Sequence, residues 1–281
     1  MNAREHEIRI RRILVALDAS PHSEAALDAA AQLAAQLRAE LQGLFVEDVN
    51  VLRLAQLPFA REVGFFTTSR RRVETRDLER QLRAQARRVE ERMTEIAERD
   101  QLRWSFRVAR GAIAAELLEA SSGVDLVILG RSGWSLRRRR GLGSTARAVV
   151  FGAPTLTLVL QEGTCLGLPV LVVYDGSPLA DKALAVASVL ARFEEGPVTV
   201  VLLEDSSEAR ELRERAVAQL RDQEVRARYL ALNRSNVPQL AQLVQAQECG
   251  TLVLPAKSVL LEDEALVALL DEIDVPTLFV R

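Results

Sequence analysis

Apolar residues fall along this chain in short unbroken runs separated by longer amphipathic stretches. Residues 13–18 (ILVALD) and 125–129 (DLVIL) are apolar apart from one terminal aspartate each, as strands buried on both faces are. Residues 41–47 (LQGLFVE), 102–108 (LRWSFRV) and 155–160 (TLTLVL) also read as strands, the second with period-two alternation. Helical stretches are predicted between them, at about 23–38, 112–121 and 144–151, with a long charged helix at 73–99. The residues between 48 and 72, with scattered apolar positions and Pro58, read as a loop. Strands alternating with helices imply an α/β fold whose mainly parallel sheet is covered on both faces.

The pattern then starts again. The segment LVALDASPHSEAAL, starting at Leu14, is echoed by LVVYDGSPLADKAL, starting at Leu171, with Asp18/Asp175, Ser20/Ser177 and Pro21/Pro178 in register. A second echo pairs DLVILG (125–130) with TLVLPA (251–256), and a third pairs APTLTLV (153–159) with VPTLFVR (275–281). Three echoes in one order mean a duplicated domain. The expected division is residues 1–162 and 163–281, with the second copy's counterpart of the long helix cut to about 207–223.

Composition narrows the classes. A hydrophobic content of 48% suits packed cores, and no run approaches the roughly 18–20 apolar residues a membrane span needs. The charged start, MNAREHEIRIRR, has no apolar segment behind it, so a soluble, unexported protein of the cytoplasm is expected. With Cys165 and Cys249 alone no disulfide framework is expected, and His6 and His22 are isolated, so no metal-ligand cluster is expected. With 37 basic against 39 acidic residues and 4% aromatics, nucleic acid is not an expected partner.

The segment most suggestive of chemistry is residues 130–145, GRSGWSLRRRRGLGST, joining an apolar strand to a short helix with the spacing G-x2-G-x9-G-S. Glycines let a backbone approach a ligand closely, and a helix opening at Gly143-Ser144-Thr145 directs free N–H groups and its positive dipole end at an anion. Glycines also punctuate loops that bind nothing, and the pattern alone leaves that reading open. A P-loop is excluded because no lysine lies near the loop. GLGSTA (141–146) satisfies a dinucleotide fingerprint but follows an arginine-rich loop instead of the first strand, with no carboxylate at the end of a second strand downstream to hold a ribose. The four arginines at 137–140 fit a solvated loop, capture of a triphosphate, or docking of an acidic partner.

This spacing, after the fourth strand of a unit that opens VALDAS, resembles the ATP-binding motif of universal stress proteins. The resemblance extends to both halves through the repeated opening and closing strands. It implies two tandem open five-stranded parallel-sheet domains of the adenine-nucleotide α-hydrolase-like, Rossmann-like type. It implies ATP with Mg2+ as cofactor: Asp18 meeting the ribose or metal, Val46 bordering adenine with Ala16 and Leu17 on the same edge, and Gly130, Gly133, Gly143, Ser144 and Thr145 holding the phosphates. Asp18 has a second reading as a strand-end cap for the next helix, since Asp175 persists in a half where the loop is lost.

In that second half Ala256 and Val259 stand where loop glycines are expected, and an acidic segment follows. Nucleotide is therefore expected in the first half only, with the second pairing across a pseudo-twofold interface through the last strands. That pseudo-dimer leaves a homodimer and an unidentified protein partner open. No histidine is placed as a base and no serine has an identifiable base partner, so no catalytic residue is assigned. The principal expectation is an ATP-binding stress-response protein. A slow Mg-dependent ATPase and a non-binding scaffold are the alternatives.

Overall fold

The computed structural model describes residues 9–55, 61–63, 70–72, 75–133, 141–193, 195–204, 209–221, 223, 225–233, 238–256 and 263–281. The first half runs β1 (Arg12–Leu17), α1 (Pro21–Leu37), β2 (Glu40–Asp48), α2 (Val49–Ala55), β3 (Arg61–Val63), β4 (Arg70–Arg72) and α3 (Thr75–Arg99). It continues with β5 (Trp104–Gly111), α4 (Ile113–Ser121), β6 (Leu126–Gly130), α5 (Ser144–Gly152) and β7 (Leu156–Leu160). The second half runs β8 (Val170–Tyr174), α6 (Pro178–Phe193), β9 (Val198–Glu204), α7 (Ala209–Arg221) and β10 (Ala227–Asn233). It closes with α8 (Pro238–Ala246), β11 (Thr251–Pro255), α9 (Asp263–Glu272) and β12 (Thr277–Val280).

One sheet of ten strands organises both halves, in the order β10-β9-β8-β11-β12-β7-β6-β1-β2-β5. Each half contributes five strands that are parallel to one another, and the halves meet where β12 pairs antiparallel with β7. Numbered within its own half, each set has the order 3-2-1-4-5, so the second half repeats the topology of the first. Phe279 lies opposite Thr157 across the junction, and both are the fifth residue of their echoed segment. A pseudo-twofold axis therefore passes between them.

The strand residues alternate between two cores. Ile13, Val15, Leu126, Ile128, Leu158, Val170, Val172 and Leu278 face the side carrying α1, α3, α6 and α7. Leu14, Val127, Leu129, Val159, Leu171, Val173 and Phe279 face the side carrying α4, α5, α8 and α9. With both faces covered, alternation produces the unbroken apolar runs seen in the sequence. Where α1 and α6 come together near the pseudo-axis, an apolar gap of about 20 Å³ remains, room for no more than one water.

One expectation needs correcting. Within the residues read as a loop between 48 and 72, the chain forms α2 and the antiparallel β3–β4 pair. Asp48 Oδ1 accepts the Asn50 N–H at 2.8 Å, so the end of β2 turns directly into α2. The three arginines at 70–72 form β4, and α3 opens at Thr75.

Candidate functional site

The strand order reverses between β1 and β6, where consecutive connections leave toward opposite edges of the first-half sheet. Open parallel sheets form a crevice beyond the carboxyl ends of their strands at such a point. Here it is a cleft of about 640 Å³, within the size range of small-molecule sites. Ala16, Leu17, Asp18, Val46, Gly130, Gly133, Gly143, Ser144 and Thr145 all line it. Residues from four elements and their connections, spread over more than a hundred positions of sequence, therefore converge on one wall.

Asp18 sits at the end of β1, and its Oδ1 accepts the Ser20 N–H at 2.9 Å. Ser20 is the N-cap of α1: its Oγ accepts the Ser23 N–H at 3.2 Å, while the Ser23 hydroxyl donates to the Ser20 carbonyl at 3.1 Å. The second half repeats the device, with Ser177 N–H donating to Asp175 Oδ1 at 3.0 Å and Ala180 N–H to Ser177 Oγ at 3.1 Å. One carboxylate oxygen of Asp18 thus serves the turn. The other faces the glycine loop, since a β-carbon at Gly133 would lie 2.7 Å from Asp18 Oδ2. Turn and cleft use the same side chain.

Gly143 is the N-cap of α5, extended at φ −60° and ψ 156°, and no side chain caps the helix there. The first intrahelical bond runs from Arg147 N–H to the Gly143 carbonyl at 2.9 Å. The first-turn amides, from Ser144 to Ala146, have no carbonyl within the helix and lie along the cleft wall. A β-carbon at Gly143 would meet the Arg131 carbonyl at 3.2 Å and Ser132 Cα at 3.4 Å, both backbone atoms that cannot turn aside. Gly130 faces the other way: a β-carbon there would press on the backbone of His22 at 2.9 Å. Its smallness lets α1 seat against β6, a packing role beside the one expected of it.

The sequence reading missed several cleft residues. Leu82 and Gln85 reach it from α3, which read only as an exposed charged helix, and Asp48 and Val51 border it from the β2–α2 corner. Arg131 lines it at the start of the glycine loop, yet its guanidinium turns away and donates to the Ile273 carbonyl at 2.6 Å. Burial draws its proton affinity below the usual arginine range, against the opposing pull of Asp274 and Asp271. Nothing in the neighbours of Arg131 along the chain signals a partner in the other half. The arginines at 137–140 lie outside the described residues, as do His6 and Val259. His22 is committed at one nitrogen, with Nδ1 accepting the Glu162 N–H at 2.8 Å.

In the second half, Gly176 directs a hypothetical β-carbon to within 2.7 Å of Leu212 Cδ1, so α7 occupies the space beside the Asp175 turn. No cleft comparable to the first is formed there by the described residues.

Fold and site together define a doubled open-sheet α/β protein, Rossmann-like in each half, with a ligand-sized cleft at the switch point of the first. The chain belongs to the universal stress protein family, whose model matches residues 9–161. Among solved structures, a universal stress protein from Archaeoglobus fulgidus DSM 4304 is 16% identical, with a TM-score of 0.73 over 95% of this chain and 97% of the other. A functionally unknown protein, PA1789, from Pseudomonas aeruginosa PAO1 is 15% identical, with a TM-score of 0.64 over 96% and 92% of the two chains. A putative universal stress protein from Pseudomonas aeruginosa UCBPP-PA14 is 16% identical, with a TM-score of 0.62 over the same shares. These likenesses extend the fold to the whole chain. No curated protein matches at the level of sequence. Among the described residues no helix is long and apolar enough to cross a membrane.

Proposed function

We propose that the first half binds ATP, with Mg2+ accompanying the phosphates, and that the protein acts in the stress response as a nucleotide-dependent binding protein. The observation that carries this reading is the convergence of Asp18, Gly133, Gly143 and the uncapped start of α5 on one cleft at the switch point. A phosphate chain needs N–H donors, a positive dipole end and no side-chain bulk, and that wall offers all three. The apolar floor from Leu44, Val46, Ile113 and Leu129 suits a planar base. Asp18 supplies a carboxylate facing Gly133, suited to a ribose hydroxyl or a phosphate-bound Mg2+. Bound Mg2+ would neutralise phosphate charge.

The second half lacks these parts: Ala256 stands in the place of Gly130, and α7 fills the region beside Asp175. One site per chain is therefore expected. The test is isothermal titration of the protein with ATP and Mg2+ beside Gly143→Val, whose fold is checked by circular dichroism. We expect one site per chain and at least a tenfold loss in the variant, because the added methyls meet the Arg131 backbone and block close approach to the loop. No binding by folded wild-type protein would overturn the nucleotide reading, and two sites per chain would overturn its restriction to the first half.

A further inference from the structure

Arg131 is a charged residue of the glycine loop, yet it is only 8% exposed and its guanidinium reaches across to the second half. It donates to the carbonyl of Ile273, just past the end of α9, at 2.6 Å, and to Gln161 Oε1 at 3.2 Å, with Asp274 3.5 Å away. A helix C-terminus presents carbonyls without intrahelical donors and the negative end of a dipole. The sequence compounds that charge, since Asp271, Glu272 and Asp274 crowd the end of α9, which has no basic residue in its own last turn. The cation that this helix end lacks arrives from the other half. Asp274 is 82% exposed and adds little; the carbonyl bond and the dipole are the stronger ties.

The backbone of the same residue holds the cleft. Arg131 N–H donates to the Leu160 carbonyl at 2.6 Å, and the Arg131 carbonyl accepts the N–H of Gly143, the N-cap of α5, at 2.8 Å. One residue thus joins the first glycines of the loop, the last, and the second half. A second contact lies alongside: Gly141, at φ 140°, packs so closely on α9 that a β-carbon would sit 2.6 Å from Asp271 Oδ1. That φ favours glycine, so both the conformation and the contact select it.

We propose that Arg131 is a positioning residue through which the end of α9 in the second half holds the two described ends of the glycine loop, at Arg131 and at Gly141–Gly143, in their ligand-ready places. The second half acts on the first by fixing the place of Gly143 and the first turn of α5. The idea rests on the nucleotide reading for what the cleft receives. If the loop is tied to α9, a ligand that tightens the loop must also tighten α9, by the reciprocity of linked equilibria. Occupancy of the cleft would then be felt in the second half.

The test is hydrogen exchange of the full chain, with and without ATP and Mg2+, for wild type, Arg131→Met and Arg131→Lys. Methionine keeps the length of the side chain and removes every donor, and lysine restores one donor and the charge. Without ligand, exchange in peptides spanning 141–146 and 266–275 should rise at least fivefold in R131M, be largely recovered in R131K, and stay unchanged at 198–204 and 227–233. With ATP, affinity should fall about tenfold in R131M, and the ligand-induced slowing at 266–275 should disappear. Wild-type exchange in R131M, or a rise spread evenly over both halves, would overturn the tie. Failure of the wild-type protein to bind ATP would overturn the nucleotide reading, while ligand-free exchange still decides the role of Arg131.

Discussion

Ala19 carries a left-handed backbone, φ 59°, between the aspartate that follows β1 and the serine that caps α1. The matching residue of the second half is Gly176, at φ 76°. Both halves demand the same turn, and only one uses the residue that adopts it freely. For alanine the left-handed conformation costs about 1–2 kcal/mol, whereas a glycine adds about 0.4–1 kcal/mol of unfolded-state entropy. Ala19→Gly should therefore stabilise the protein by about 0.5–1 kcal/mol, read as a higher urea midpoint at unchanged slope. A lower midpoint would mean that the packing of this half-buried methyl outweighs the strain. A second prediction concerns the thiols. Cys249 is buried and Cys165 exposed, and burial pushes the Cys249 thiol up to about 11. A thiol reagent should label one cysteine in the folded chain and two after unfolding. The raised value also sets a sign for stability. The folded state holds the Cys249 proton more tightly than the unfolded chain, so its contribution is complete below the unfolded value, about 8.5, and is lost as pH rises toward about 11. Cys249→Ala should flatten the alkaline limb of the stability profile; an unchanged limb would assign that loss to other groups.

Elements that bury whole faces were legible in the sequence, and elements held by tertiary contact were not. The runs at 13–18, 125–129 and 155–160 gave strands β1, β6 and β7 to within two residues, because a strand covered on both sides has no exposed position that calls for a charge in its interior. The cleft wall was readable for a related reason: Asp18, Gly133 and Gly143 sit in short motifs whose local geometry places them. The two three-residue strands β3 and β4 are too brief to show a period, and α2 has only seven residues. The reach of Arg131 to Ile273 spans the two halves and leaves no local mark. Gly43 shows how closely two legible elements meet. It lies on β2 beneath α3, where a β-carbon would sit 2.9 Å from Phe106 Cδ2 and closer still to the Met93 thioether, which is fully buried. Gly43→Ala should overpack this crossing and cost about 1–3 kcal/mol. Adding Met93→Val should return part of that loss, because it removes the atoms in collision. Strictly additive effects in the double variant, measured by urea unfolding, would locate the strain elsewhere.

At the scale of the molecule, the two halves share one hydrogen-bonded sheet, and neither has a core of its own. Each of the two apolar clusters contains residues from both halves: Leu158 and Leu278 in one, Val159 and Phe279 in the other. Further bonds cross the junction, with Arg281 of β12's end donating to the Val150 carbonyl of α5 at 2.7 Å. A duplicated chain whose halves folded independently would show two unfolding transitions; a shared core should give one. Phe279 is the informative residue, because it is 1% exposed, belongs to the second half and pairs with Thr157 at the pseudo-axis. Phe279→Ala should cost about 3–5 kcal/mol through the cavity it leaves. The chain carries its own reporters, since both tryptophans, at 104 and 134, lie in the first half and both tyrosines, at 174 and 229, in the second. If the halves are one cooperative unit, the substitution in β12 lowers the denaturation midpoint seen by tryptophan fluorescence as much as that seen by far-ultraviolet circular dichroism. A tryptophan midpoint that stays at the wild-type value while the dichroism transition splits would show that the first half stands without the second, and that β7 and β12 merely abut.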